Sequence, residues 1–342
     1  MTEVSLASGQ GRGERRSRGL WQGETWIALP IFAVLAILPA VMSGYVIYIL
    51  PQYMLFGVLA MSLGLLWGYG GILSFGQASF FAIGGYAMGL VMQQAIPVHG
   101  AYAGLIVAVL LGGLVAALAG YFLFSAGVRA TYFVLVTLAL SIITEQIAVS
   151  QSQLTGGWNG LYVDRMSLAF GPLGEVSLYG DAAFYYFVLP VVVLVYLGLR
   201  WLMAGRFGKV LVGIRENEDR LVALGYNTST YKTLAFALSG AIVGFAGALY
   251  ATHANFVSPS LAGVLFSTEV VVWVAIGGRS SLLGALMGGI IVASLSNYLS
   301  AITPEYWQLV LGVIFILVIV FFKEGLAGLV ARALQIVRGK AD

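Results

Sequence analysis

Long apolar runs dominate this chain, and short polar stretches punctuate them. Between Thr25 and Val128 there is no Asp, Glu, Lys or Arg at all. A run of about 20 apolar residues crosses a bilayer as a helix, because hydrocarbon offers no partner to an unpaired backbone amide. The pattern predicts helices over about 26–43, 50–67, 71–93, 100–125, 131–151, 183–203, 232–253, 268–276, 283–301 and 307–322. Pro39 and Pro51 mark bends or ends, since proline lacks the amide that continues a helix. The eighth run is too short to cross alone and is expected to be broken or tilted. Polar sequence is left at 1–25, at 152–182, at 204–231 and at 323–342.

Composition makes the same point. The chain is 60% hydrophobic and 9% charged, against about 25% charge in a soluble domain. The expected fold is therefore an all-α polytopic membrane protein with about ten transmembrane helices, and 26–322 forms its membrane domain. There is no cysteine, and His99 and His253 are the only histidines, which excludes disulfides, thiolate chemistry and a His-based triad.

Charge sets the direction of threading. With the N-terminus inside, 16 of the 17 Lys and Arg residues fall on the cytoplasmic side, and only Arg165 falls outside. This obeys the positive-inside rule and places both termini in the cytoplasm. The N-terminal tail with Arg12, Arg15, Arg16 and Arg18 reads as a disordered cytoplasmic segment; a twin-Arg export signal fits poorly without a short apolar region and cleavage site. The net charge of +3 is then a topology signal and gives no reason to expect a nucleic-acid partner.

The largest charged island inside the apolar sequence is Gly205–Lys232. Its middle predicts a short helix: Asn217 is a cap, Glu218 and Asp219 suit the positive end of the helix dipole, and Gly225 is a stop. Leu221 and Leu224 lie three apart and share a face for docking to another protein. The 152–182 segment is the only sizeable external loop. It reads either as a plain connector or as a docking surface carried by Trp158, Asn159 and Asp164.

Residues 68–86 hold six glycines in nineteen positions, together with Ser74, Gln77 and Ser79. Such a stretch either packs helices closely or breaks a helix along a translocation path. Other small-residue pairs four apart are Gly64/Gly68, Gly85/Gly89, Gly240/Gly244 and Gly284/Gly288, and Gly277-Gly278 echoes Gly70-Gly71. An acid at mid-bilayer costs roughly 2.5–3.5 kcal/mol. Glu145 accordingly faces either a structural partner or the path, and Glu269 reads as structural. Two isolated acids make a poor proton relay. No phosphate-binding G-x-x-x-x-G-K-[ST] occurs, since Gly208-Lys209 is followed by Val210. No dinucleotide fingerprint and no H-E-x-x-H occurs either. The chain is not expected to be an enzyme, and an ATPase driving it must be a separate protein.

Several stretches together resemble the permeases of branched-chain amino-acid ABC importers. In the island, Gly205, Arg206, Ile214, Arg215, Glu216, Asn217, Glu218 and Gly225 match the family's coupling motif, with Gly213 where alanine is usual. GGILSFGQASFFAIGGYAMGL (70–90), LTGGWNGL (154–161), Leu238–Gly247 and the segment 258–289 resemble its other motifs, so the likeness spans about 26–330. The resemblance implies a type II-like ABC importer permease in the inner membrane of a bacterium. It implies as partners a second homologous permease, two ATP-binding cassette ATPases and a periplasmic substrate-binding protein, with ATP used by those ATPases and no cofactor bound here. The island would be the ATPase-coupling element, with Arg215, Glu216, Asn217, Glu218, Leu221, Leu224 and Gly225 its residues. The substrate would be leucine, isoleucine or valine. The related urea and short-amide importers are the alternative, favoured by Tyr226-Asn227 and by 271–275, whereas the T-G-G-W-N-G loop favours amino acids. An ion-coupled secondary transporter is the third reading.

Overall fold

The computed structural model describes residues 27–42, 44–94, 100–128, 130–169, 175–321 and 325–328. The 1–25 tail, His99, Arg129 and most of the 323–342 tail lie outside them.

Ten apolar helices among the described residues fall close to the ten apolar runs. They are α1 (Ile27–Val41), α2 (Tyr45–Gly64), α3 (Gln77–Met92), α4 (Gly100–Ser125), α5 (Ala130–Ser150), α7 (Asp181–Ala204), α10 (Thr228–Ala254), α11 (Val264–Gly277), α12 (Leu282–Ile302) and α13 (Trp307–Phe321). One polar turn, α6 (Ser152–Thr155), follows α5. Two short helices, α8 (Arg206–Glu216) and α9 (Glu218–Ala223), join α7 to α10. Six of the apolar helices are long enough to span a bilayer. With 14 residues, α11 is indeed short, about 21 Å at 1.5 Å per residue.

The centre of the bundle is α10, flanked by α3 and α4, with α2 beside it. A bilayer supplies no hydrophobic drive between helices, so they associate through close packing of small residues. The buried face of α4 consists of Ala101, Gly104, Ala108, Gly112, Ala116 and Gly120, almost all at intervals of four. It meets Gly240 and Gly244 of α10, where a Cβ at Gly112 would lie 2.5 Å from the Gly240 carbonyl oxygen. On the other side of α10, Gly84 of α3 abuts the Gly244 backbone and Gly247 abuts the Phe81 carbonyl. The other glycine pairs are seats of close approach as well: Gly64 meets Ala285, Gly68 meets the Arg279 carbonyl, Gly85 meets Val257, and Gly284 and Gly288 meet Gly277. Two aromatic clusters fill the space between these backbones. Phe56, Phe81, Tyr250, Phe266 and Trp273 join α2, α3, α10 and α11. Phe80, Phe124, Phe133 and Phe236 join α3, α4, α5 and α10.

One end of the bundle carries a small folded cap. Strand β1 (Leu161–Tyr162) pairs antiparallel with β4 (Phe256–Val257), which follows α10, and β2 (Ser167–Ala169) pairs with β3 (Glu175–Ser177). Arg165 holds the cap to two helices. Its Nε donates to Asn255 Oδ1 at 3.2 Å beyond α10, and its Nη1 reaches the Tyr179 carbonyl and Asp181 in the first turn of α7. The single cation of this loop is thus a three-way tie with charge-assisted bonds. The opposite end carries α8 and α9.

Replacing Gly240 by leucine is expected to destabilise the bundle by at least about 1–3 kcal/mol, the cost of overpacking. Among the described residues Gly198 of α7 has nothing within 4 Å of a built Cβ, so Gly198→Ala is expected to stay within about 0.5 kcal/mol of the parent. Thermal unfolding of the two variants in detergent micelles measures the contrast.

Candidate functional site

Three regions carry polar side chains in places that packing alone does not require: the α8–α9 island, the break between α2 and α3, and the cap.

The island folds as two helices set against the bundle. In α8 the buried positions are Gly208, Val210, Leu211 and Ile214, a helical stripe that seats it under α7 and α10. Between α8 and α9 the chain is extended at Asn217, whose Oδ1 accepts the Arg220 amide at 3.0 Å. Glu218 and Asp219 fill the first turn of α9. Its end closes by a paired motif: the Gly225 amide donates to Val222 O at 2.9 Å and the Tyr226 amide to Leu221 O at 3.1 Å. That closure needs a left-handed residue, and Gly225 has φ +85°. Glu218 ties the island to α10, its Oε1 accepting from Thr228 Oγ1 at 2.8 Å and from Lys232 Nζ at 2.5 Å.

Leu221 and Leu224 part company here. Leu221 is half-buried and packs on Gly213, where a Cβ would lie 3.0 Å from its Cδ2. Leu224 is exposed with Val222 and Tyr226, and these three form the apolar surface of the island. Arg215 Nη1 donates to the Gly68 carbonyl oxygen at the end of α2, and its Nη2 pairs with Glu216 at 2.7 Å.

The α2–α3 break begins with a π-helical turn at Leu65–Tyr69. Gly71 then has φ +69°, and residues 71–74 are irregular. Irregular backbone within a membrane domain survives only where its polar groups find protein partners. Here α5 supplies them: Phe75 N donates to Thr137 Oγ1 at 3.1 Å, and Ser141 Oγ donates to Phe75 O at 2.8 Å. Ser74 Oγ accepts the Gly76 amide at 3.1 Å. Ser79 donates to Ser141 at 3.1 Å, and Ser267 of α11 donates to the same oxygen at 3.0 Å. On the opposite side of α3, Gln77 Oε1 accepts from Ser62 of α2 at 3.0 Å and from Ser239 of α10 at 3.1 Å. The Gln77 amide nitrogen is buried without a partner among the described residues.

Ser74, Gln77 and Ser79 are therefore buried between helices of this chain, at most 1% exposed. Glu145 is placed differently. It lies half-buried on α5, four residues beyond Ser141, with its carboxylate against Gly263, just after the one-turn helix Pro259–Ala262 at the cap end. It thus lies five residues from the C-terminal end of α5. Thr137, Ser141, Thr144 and Glu145 follow helical spacing along one face of α5, which is the signal by which the α5 hydroxyls can be found in sequence. Ser62, Ser239 and Ser267 give no such signal.

In the cap, T-G-G-W-N-G forms a tight loop with Gly156, Gly157 and Gly160 all at positive φ. A Cβ at Gly156 would strike the Gly160 carbonyl oxygen. The loop presents Trp158 and, after it, Tyr162, 74% and 80% exposed, with Asn159 and Asp164 also exposed.

Known proteins are similar to this sequence. The family model described as branched-chain amino acid transport system / permease component matches residues 45–319. The high-affinity branched-chain amino acid transport system permease protein LivM of Salmonella typhimurium is 28% identical, over 89% of this chain and 75% of its own length. Its Escherichia coli counterpart is 28% identical over 92% and 77%. The xylose transport system permease protein XylH of Haemophilus influenzae is 33% identical, over 40% of this chain and 38% of its own. No solved structure matches significantly. The chain belongs to the branched-chain amino acid transport system permease family.

Replacing Asn217 by alanine removes the α9 cap and is expected to cost about 1 kcal/mol. Gly225→Ala is expected to cost about 1–2 kcal/mol through its left-handed backbone alone, because the space around a built Cβ is open. Amide exchange over 218–226 should accelerate several-fold in each variant and stay unchanged in α10.

Proposed function

We propose that this chain is the membrane-spanning permease subunit of an ATP-driven importer of leucine, isoleucine and valine. What carries the reading is the family match along 45–319 together with a capped, exposed island placed between two long apolar helices. In this reading the ten apolar helices, six of them long enough to cross alone, form the membrane domain in the inner membrane of a bacterium, both termini are cytoplasmic, and the cap end faces the periplasm. The chain binds no cofactor. ATP is consumed by two partner ATPases, which dock on α8 and α9 through Glu216, Val222, Leu224 and Tyr226. A second homologous permease covers the apolar outer faces of α4 or α5, and the surrounding lipid covers the rest. A substrate-binding protein docks on the cap at Trp158, Asn159 and Asp164.

The mechanical logic follows from covalent and ionic attachment. α7 runs into α8 through the single extended residue Gly205, and α9 is clamped to the first turn of α10 by Glu218 with Thr228 and Lys232. A partner that binds one island position more tightly than another shifts both helices by that difference in affinity; equal affinity would shift nothing. The path runs along the α5 face bearing Glu145, and Ser74, Gln77 and Ser79 lie behind it to position the α2–α3 break. A carboxylate in that position suits the ammonium group of an amino acid. Trp273, in the segment that favours the urea and amide relatives, is buried among Phe56 and Phe266.

Reconstitution with a candidate second permease, ATPases and binding protein should give ATP-dependent uptake of labelled leucine; uptake of urea alone would assign the chain to the other branch. Within that assembly, Leu224→Asp and Glu218→Ala are each expected to lower uptake at least tenfold with insertion intact, and normal uptake would remove the island from coupling. Trp158→Ala with Tyr162→Ala should weaken capture of the loaded binding protein several-fold, measured as the concentration giving half-maximal uptake.

A further inference from the structure

The contact that the proposed function leaves unused is between Arg215 and the α2–α3 break. Arg215 sits at the last turn of α8, where a residue serving an ATPase would turn outward. Its guanidinium instead turns back to the bundle and donates to the Gly68 carbonyl oxygen. That oxygen lies in the π-helical turn where α2 ends, and the chain leaves helical geometry beyond Gly70, so no following turn supplies it with an amide. Glu216 holds the other arm of the fork at 2.7 Å. The aliphatic part of Arg215 covers Gly71, where a built Cβ would lie 2.8 Å from Arg215 Cγ. Gly71 is thus required twice, by its φ of +69° and by the arginine laid over it. Three residues on begins the polar joint, in which Ser74 Oγ accepts the Gly76 amide, Phe75 and Ser79 bond to α5, and Gln77 bonds to α2 and α10.

We propose that Arg215 is a positioning residue that clasps α8 to the end of α2 and carries displacement of the island into the α2–α3 break. This rests on the proposed function, because it supposes that an ATPase moves the island. It adds a route: motion reaches the membrane interior through the Gly68 carbonyl as well as through the α7 and α10 connections. An arginine that merely held ATPase would act on assembly, whereas a clasp acts on the yield of transport per ATP.

The test uses the complete assembly in proteoliposomes and labelled leucine, or urea if that is what the parent assembly carries. Arg215→Ala is expected to retain ATPase co-purification and binding-protein-stimulated hydrolysis within about twofold, while uptake per ATP falls at least tenfold. Arg215→Lys, which keeps a donor for the carbonyl, should recover a substantial part. Gly71→Ala should reproduce the loss, and combining it with Arg215→Ala should add little, since both break one contact. Loss of ATPase co-purification in Arg215→Ala would overturn the proposal, because the residue would then be a direct docking group. Unchanged uptake per ATP would overturn it equally. If Gly71→Ala does not insert, the alanine and lysine variants at 215 decide between these outcomes. A parent assembly that takes up neither probe with ATP refutes the proposed function itself and is recognised before any variant is compared.

Discussion

Backbone-to-backbone contact across α10 is the constraint on which the rest of the bundle hangs. In hydrocarbon a leucine gains nothing by leaving lipid for a neighbouring helix, so stability has to come from dispersion between surfaces that fit without a gap. Gly112, Gly240, Gly244 and Gly84 let three helices touch along their main chains, and the small-residue face of α4 extends that contact through nearly its whole length. A slab of this kind is stiff because any rotation of α4 or α3 drives a larger side chain into a carbonyl. The outer apolar faces of α4 and α5 are left to whatever surrounds the chain.

The joint between α2 and α3 has the opposite character. Its backbone is irregular, its partners are hydroxyl side chains on other helices, and one amide of Gln77 is left unsatisfied in the conformation described. Hydroxyl bonds between helices in membranes are worth about 0.6 kcal/mol on average, so exchanging one set for another is a modest cost compared with unpacking glycine-lined backbones. Rigid slab and exchangeable joint meet in α3, whose first turn belongs to the joint and whose middle belongs to the slab.

Much of this was legible from the order of residues alone. The apolar runs place ten helices close to their observed bounds, because a bilayer requires length and apolarity from each helix independently of its neighbours. Asn217 and Gly225 read correctly as cap and stop, since both act within four residues of themselves. The glycine pairs read as close contacts, though not which helix each one meets. What escaped is non-local. α8 is an eleven-residue helix among charges and glycines, and its stripe makes sense only against α7 and α10. Leu221 shares a period with Leu224, yet the missing Cβ of Gly213 draws it inward. Ser62, Ser239 and Ser267 look like any serine in a membrane helix until the fold brings them to Gln77 and Ser141. The cap strands are two or three residues long, too short for alternation to announce them.

The pairing of β1 with β4 bears on how the chain is made. Leu161 and Val257 are 96 residues apart, and α7, α8, α9 and α10 lie between them. At roughly 5–20 residues per second, a ribosome needs about 5–20 s to cover that interval. Through that time the first half of the cap waits without its partner strand, and Arg165 waits without Asn255. Closure of the cap therefore reports that α10 has been delivered and seated, and it is a late event in biogenesis whatever the order in which the membrane helices themselves pack.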